Sequence, residues 1–540
     1  MSVQSNVIHP SHKILVVVTV GGSTNSAPIL EICAILAARG HVIEFATLAE
    51  RETLVAPYPF VSTVHIVGRA VTAEEDERLY LNFSRWDNST HGGRRHILRT
   101  KRFYDSFWTE TYQGLNQVIA KSRPDFIFAD YQVEAAKDVA LQHCIPLAQM
   151  WCQMPWLMLP QKWIPGSPGF QLRCLTSENA SLWDRLYEQM FLLRWGPHLL
   201  DLLLWTRRMR LAAGVKTIPL MKSKPDHVLL VNNFFGVEPA KDLPPLVQAA
   251  GPILADDWLP LDNATEQFLV NKHSVVYVAF GTHVILTAEK LEKIVLGLAL
   301  ALLEQRIDGV IWAIRSIARK QFDESKNYPV HGTTNQTFAG LLENRHPSWL
   351  FLDYAPQRAV LDHSSTRVFL THAGPSSANE ALFHGVPMVS MPVYGDQIQE
   401  SMRLKAAGVA VEVSKDKFQP ADISNAVAVI LADPRGEFRR NVHRMQRIAH
   451  VAARRKHAAA DLIEEHMYDW NLRFEYDPSE KSAAATSLNG GRGVELSPMH
   501  LQTADARMSW IRSTNMDEWL IVICTALGVI SLASYYGKLL

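Results

Sequence analysis

Short β-branched apolar runs alternate along this chain with small-residue turns and helical stretches, and that alternation constrains its fold more than any other feature. KILVVVTV (Lys13–Val20) is followed by GGSTNSAP, by ILEICAILAARG and by HVIEFAT. Ile29, Ile32, Ile35 and Leu36 share one helical face, and Gly40 ends that helix. A strand–helix–strand opening predicts a parallel sheet, because parallel neighbours need a long crossover between them. PDFIFADYQVEAAKDVALQHCIP repeats the scheme and puts Asp130 at the C-terminal end of a strand, where ligands of open α/β sheets gather. A second series starts at SVVYVAFGT (Ser274–Thr282) and runs through GVIWAIR, SWLFLDYAPQ, RVFLTHAG, VPMVSMPVYGDQ and VAVEV. The predicted class is α/β, with two doubly wound halves joined near residues 240–260, where PAKDLPPLVQAAGP is rich in proline. Residues 420–469 read as helix throughout, and no repeat of 20–50 residues is evident.

The chain has 540 residues, 47% of them hydrophobic, enough for two or three domains. Lys+Arg and Asp+Glu both number 54, so no global field draws nucleic acid. Five cysteines (Cys33, Cys144, Cys152, Cys174, Cys524) form no CxxC pair and read as small buried hydrophobes, not as disulfides or a zinc site. The apolar run Ile14–Val20 is short and ends in Gly-Gly, so it reads as a buried strand and not as a signal peptide. At the other end WLIVICTALGVISLASYY (Trp519–Tyr536) holds no charge and reaches the ~18-residue length of a membrane span. Trp519, Tyr535 and Tyr536 sit at its ends, where amphipathic rings favour the interface. Five N-x-S/T sequons (Asn82, Asn88, Asn179, Asn263, Asn335) point to a lumenal setting, and the lack of a signal peptide points the other way. The expectation is a single-pass C-terminal anchor in the endoplasmic reticulum with the folded domains on the cytosolic side.

Asp353 to Gln397 is the most informative stretch: DYAPQRAVLDHSSTRVFLTHAGPSSANEALFHGVPMVSMPVYGDQ. A strand ends at Leu370, Thr371–Gly374 turn, and Pro375 suits the first helical position, where its missing N–H costs little. Ser376 and Ser377 add hydroxyls beside the free amides of that turn, a natural seat for phosphate oxygens. His372 stands at its mouth, and Asp396 and Gln397 follow the end of the next strand. This pattern resembles the signature of the UDP-glycosyltransferase family: an aromatic then x-Pro-Gln, Thr-His-x-Gly, a Glu eight residues after that His, Gly-x-Pro, and Asp/Glu-Gln. Here these are Tyr354, Pro356-Gln357, Thr371-His372-Gly374, Glu380, Gly385-Val386-Pro387 and Asp396-Gln397.

The resemblance implies a GT-B fold, two facing Rossmann-like domains with the acceptor in the first and the nucleotide sugar in the second, and a last helix crossing back near residues 457–469. It implies that Tyr354 stacks on uracil, Gln357 bonds the nucleoside and Glu380 accepts from the ribose. His372, Gly374, Ser376, Ser377 and Thr282 would hold the diphosphate, and Asp396 and Gln397 the sugar hydroxyls. Tyr354 stands where the family usually has Trp, Ser376 where it has Asn, and Pro375 removes one amide donor. The family's catalytic base is a His three residues before a Pro in the first βα turn. Pro28 is present, but the matching position is Asn25, and an amide cannot take a proton. Asp130 matches the Asp that orients the base.

Three readings follow. The enzyme works with Asp130, directly or through water, or with an intrinsically nucleophilic acceptor; or His283, next to Phe280-Gly281-Thr282, supplies the base; or the chain binds a UDP-sugar without turning it over. A nucleotide-sugar epimerase is a more distant alternative.

Other features read more plainly. WCQMPWLMLPQKWIPGSPGF and FLLRWGPHLLDLLLWTRR suit core, an apolar acceptor pocket or a bilayer surface. FRRNVHRMQRIAHVAARRK reads as a solvated helix face. His363 and His372 lack short-spaced metal partners, GGSTNS lacks the order of a dinucleotide-binding loop, and His41 reads as packed.

The expected organisation is an acceptor-binding domain over 1–250, a UDP-sugar-binding domain with crossing helices over 251–470, a flexible tether over 471–515 and an anchor over 516–540. The expected activity is transfer of a hexose, with glucose suggested by Gln397, from UDP to a lipophilic small acceptor with inversion. The UDP-sugar is a co-substrate, with no bound cofactor and no metal.

Overall fold

The structure, a computed structural model, describes residues 10–87, 90–154, 159–167, 170–216, 224–328, 336–475 and 494–536. Seven strands form the first sheet: β1 (Lys13–Val17), β2 (Val42–Thr47), β3 (Val61–Ile66), β4 (Phe126–Asp130), β5 (Leu147–Trp151), β6 (Val228–Val231) and β7 (Val247–Ala249). Their order is β3-β2-β1-β4-β5-β6-β7, and every pairing is parallel. After β8 (Val275–Ala279) and β9 (Gly309–Ala313) comes a small antiparallel ribbon of β10 (Asn327–Tyr328) and β11 (Gln336–Thr337). The second sheet is completed by β12 (Trp349–Leu352), β13 (Thr366–Thr371), β14 (Met388–Ser390) and β15 (Ala410–Glu412), in the order β12-β9-β8-β13-β14-β15, again all parallel. These are two Rossmann-like halves.

The central strands are covered on both faces, which is why they are apolar runs, whereas edge strand β3 (VSTVHI) has no buried residue. Ile14 and Val16 point into one core of the first half, and Leu15 and Val17 into the other. In the second half Val276 and Val278 enter one core, and Val275, Tyr277 and Ala279 the opposite one. The basic helix Glu437–Ala452 buries Val442, Met445, Ala449 and Ala452 in the second half and leaves its arginines outside, as a solvated face should. The chain then crosses over. Helix Arg455–Arg473 buries Ala459, Ala460, Ile463 and Met467 in the first half, and Arg39 pairs with Asp461 and Glu464. His41 is packed there too, 3.0 Å from Glu464.

The tether expected over 471–515 is corrected in part. Phe474–Glu475 pairs with Val494–Glu495, Met499 is buried in the first half, and His500 lies 2.8 Å from Glu465 and 3.1 Å from Asp469. Lys224 bonds Thr503 at 3.0 Å and Asp505 at 2.7 Å. Apolar Met499, after a polar low-complexity stretch, is what returns this segment to the core. Residues 476–493 lie outside the described residues. Of the sequons, Asn88 and Asn335 do as well, and the Asn82 amide is engaged by His96 and Thr100. Helix Met516–Tyr536 is long and apolar enough to cross a membrane, and none of its residues is buried.

Ile463 is fully buried on the crossing helix, so Ile463→Ala should remove about 2–5 kcal/mol from the unfolding of the first half, read by urea denaturation.

Candidate active site

On the second half the site is built from residues just past strand ends. β13 ends at Thr371, and the turn through His372 and Ala373 (φ 59) leads into helix Pro375–His384. The imidazole of His372 is held between two glycines. A Cβ on Gly374 would fall 2.4 Å from its Nε2, and one on Gly281 would fall 2.8 Å from its ring. Burial drives the His372 pKa down to about 4, with His283 adding to the effect and a hydrogen bond to the Ala279 carbonyl opposing it. The ring is therefore neutral at pH 7, and its single N–H is the one given to the Ala279 carbonyl, which fixes its tautomer and its place beside the turn. Beside it the intrahelical ladder begins with Ala378 N–H to Gly374 O at 2.9 Å. The N–H groups of Ser376 and Ser377 precede that bond and point with the helix dipole, as an anion seat requires.

Gln357 ties the nucleoside end together. Its Nε2 donates to Glu380 at 2.7 Å and to Ser377 Oγ at 3.3 Å, and its Oε1 accepts from Tyr277 OH at 3.3 Å. Burial raises the Glu380 pKa, while Gln357 and Arg358 pull it back. Tyr354, 71% exposed, presents its ring on the rim, and Thr282 is exposed after β8. Gln397 is buried with its Oε1 accepting from Val393 and Tyr394 N–H at 3.0 and 3.1 Å, so that oxygen shapes the loop. Asp396 accepts from the Cys152 thiol at 3.3 Å, and burial raises its pKa.

Facing these groups is the first half. Gly22 caps helix Ser23–Ala38, and Asn25 in its first turn donates Nδ2 to Asp130 Oδ2 at 3.2 Å. The parallel pairing of β1 with β4 brings the two together. Asp130 is only 3% exposed, and burial lifts its pKa to about 7 against the hydrogen bonds of Asn25 and of the Tyr131 and Gln132 amides. His283 reaches across: a Cβ on Gly22 would touch its ring at 3.6 Å, and Tyr80 lies 5.2 Å away between ring centroids. Burial, then Arg51 and Arg315, hold its pKa down to about 4. A base that weak contributes little near neutrality, whereas a carboxylate near 7 is well matched.

Comparison with known proteins now decides the identity. A family profile described as "UDP-glucoronosyl and UDP-glucosyl transferase" matches residues 191–454. UDP-glycosyltransferase FPY2 of Fusarium mangiferae is 51% identical over 533 residues, 97% of each chain. The chain belongs to the UDP-glycosyltransferase family. A UDP-glycosyltransferase of Talaromyces amestolkiae is 45% identical over 95% of each chain. In fold, it resembles the kitacinnamycin glycotransferase (TM-score 0.57, 17% identity, 84% of this chain and 99% of that one). It also resembles a UDP-glucosyltransferase from Polygonum tinctorium (TM-score 0.55, 19% identity, 84% and 99%). The fold is GT-B, and the protein is a transferase enzyme.

In this UDP-glycosyltransferase the predicted donor-side residues Gln357, Ser377 and Glu380 form one bonded group, and His372 and Gly374 form a second. Asn25 and Asp130 form a third, with His283 at its edge. Cys152 was missed, because a lone cysteine read as a small hydrophobe. Its signal was its place directly after β5, at a strand end that faces the ligand. Tyr277 was missed because it sits inside an apolar strand.

Gly374→Ala should push His372 from its seat and weaken UDP binding about ten- to a hundredfold by calorimetry. The displaced ring would tilt the turn that presents the Ser376 and Ser377 amides, and one hydrogen bond to a charged oxygen is worth about 1.5–3 kcal/mol.

Proposed function

We propose that this enzyme transfers glucose from UDP-glucose to a hydroxyl of a lipophilic small molecule with inversion, and that Asp130 takes the acceptor proton. The observation that carries this reading is the Asp130 carboxyl, buried at a strand end with its pKa near 7 and bonded to Asn25. Asp130, directly or through one water, removes the hydroxyl proton as the acceptor oxygen attacks the anomeric carbon. The bond from that carbon to the β-phosphate oxygen breaks on the opposite face, and UDP leaves with the electron pair. Asn25 orients the carboxylate. The Ser376 and Ser377 amides and Thr282 meet the growing phosphate charge, where a preorganised donor is worth most, and His372 packs behind the turn that presents them. Tyr354 stacks on uracil, Gln357 bonds the base, and Glu380 accepts from the ribose.

At the sugar end Asp396 and Gln397 suit neutral hydroxyls. A uronic-acid carboxylate would meet the Asp396 carboxyl and be repelled, which favours glucose over glucuronate. No resident cofactor is needed for this displacement. Helix Met516–Tyr536 anchors the enzyme in the endoplasmic reticulum membrane with both domains in the cytosol, a setting that suits an Asn82 engaged inside the fold. Digestion of the domains by protease added outside sealed microsomes checks the sidedness, and protection would reverse it.

Asp130→Asn should lower kcat by about 10²–10⁴-fold with UDP affinity retained. In the unaltered enzyme kcat/KM should rise with pH through about 7, because only the ionised carboxyl accepts a proton. Asn25 favours the ionised form, so Asn25→Ala should move that profile to higher pH. A profile unchanged in both variants would rule out Asp130 as the base.

A further inference from the structure

Helix Phe191–Ala212 is built inside out. Leu193, Leu200, Leu204 and Leu211 follow one another at helical spacing on its outer face, all of them exposed, Leu193 by 79%. Its inner face carries a fully buried arginine, Arg210, 2.7 Å from Asp138. The preceding helix Leu182–Gln189 continues the outer face with Trp183, 75% exposed. Soluble surfaces rarely gather apolar side chains in this way. Arg207 and Arg208 are exposed near the C-terminal end of the same face.

We infer that this face is a second membrane contact, lying flat on an anionic bilayer. The inference rests on the reading of Met516–Tyr536 as a membrane span. Three observations select a bilayer over a protein partner. The candidate span is rooted on the same half of the molecule, through Lys224 to Thr503 and Asp505. Between root and span, Trp510 and Ile511 are exposed as well, a second apolar surface beside the membrane. The arginines flanking a leucine face give the charge pattern of an interfacial helix on anionic lipid.

The consequence concerns the acceptor. Phe191 and Trp195, on the inner side of the same helix, pack into one aromatic cluster with Phe83, Trp86 and, from the second half, Ile285. Phe83 stacks on Tyr394 at 3.9 Å, and Tyr394 is two residues from Asp396. A bilayer under this helix would therefore lie against the aromatic cluster that borders the cleft, which places a lipophilic acceptor dissolved in it close to the site.

The test is photo-crosslinking of the full chain in vesicles of phosphatidylcholine with phosphatidylserine, using a phospholipid with a diazirine in its acyl chain and mapping adducts by mass spectrometry. Adducts on peptides from 182–211 as well as on 516–536 are expected, with those on 182–211 falling several-fold when phosphatidylserine is omitted. A Leu193→Ser, Leu200→Ser, Leu204→Ser variant changes only exposed positions and should lose the first set while keeping the second. Adducts on 516–536 alone, or protection of 182–211 by pairing of two copies, would overturn the inference and leave the span standing. Absence of adducts on 516–536 would remove the span and this inference with it.

Discussion

Because every strand in both sheets pairs in parallel, the chain leaves each one at the same edge and must return behind the sheet before it can pair again. The turns at that edge are therefore free to carry chemistry, and those at the opposite edge only close the fold. Each group in the cleft obeys this rule. Asp130 ends β4, Cys152 follows β5, and Thr282 and His283 follow β8. Tyr354 follows β12, His372 follows β13, and Asp396 lies beyond β14. The strand ends of the two sheets share one cleft, where Cys152 of the first half meets Asp396 of the second.

Beside the apolar cluster of Phe83, Trp86 and Ile285, buried polar groups join the halves. Arg403 Nη1 lies 2.9 Å from Gln153 Oε1 and 3.2 Å from both Glu238 and Glu400. Asn379 donates to the Asn232 carbonyl at 2.9 Å. Lys415 reaches the Trp86 carbonyl at 2.6 Å and that of Val393 at 2.7 Å, drawing together the end of helix Ala73–Ser84 and the loop before Asp396. Burial holds Lys415 at a pKa of about 8 and lifts Glu400 to about 7. Buried charges of this kind add little net stability, since desolvation offsets most of the attraction. They fix direction instead.

The two-half α/β architecture was legible because buried parallel strands leave an apolar run, and the nine such runs read from the sequence, with helices between, admit few alternatives, whereas polar β3 left no such trace. The donor side was legible because it is local. His372, Gly374, Ser377 and Glu380 fall within nine residues, Tyr354, Gln357, Asp396 and Gln397 belong to the same stretch 354–397, and Thr282 comes from outside it. The acceptor side was less so, since Asn25 and Asp130 are 105 residues apart and meet only through the register of β1 and β4. Cys152 and Asp396 are separated by 244 residues and belong to different halves, so no local pattern marks that contact. The segment around Met499 was misread for a related reason. A few apolar residues in a polar stretch carry no period, yet one of them is enough to be captured by a neighbouring core.

The exchange of a histidine for Asn25 also alters the residue behind it. A protonated imidazole would stabilise the Asp130 carboxylate by charge and hold its pKa low, leaving it a partner and not a base. An amide offers one neutral hydrogen bond, worth far less against the cost of burying a charge. Desolvation then prevails, and the carboxyl settles near 7. In the mechanism proposed above, an asparagine at position 25 thus leaves the buried Asp130 carboxyl more basic than a histidine there would.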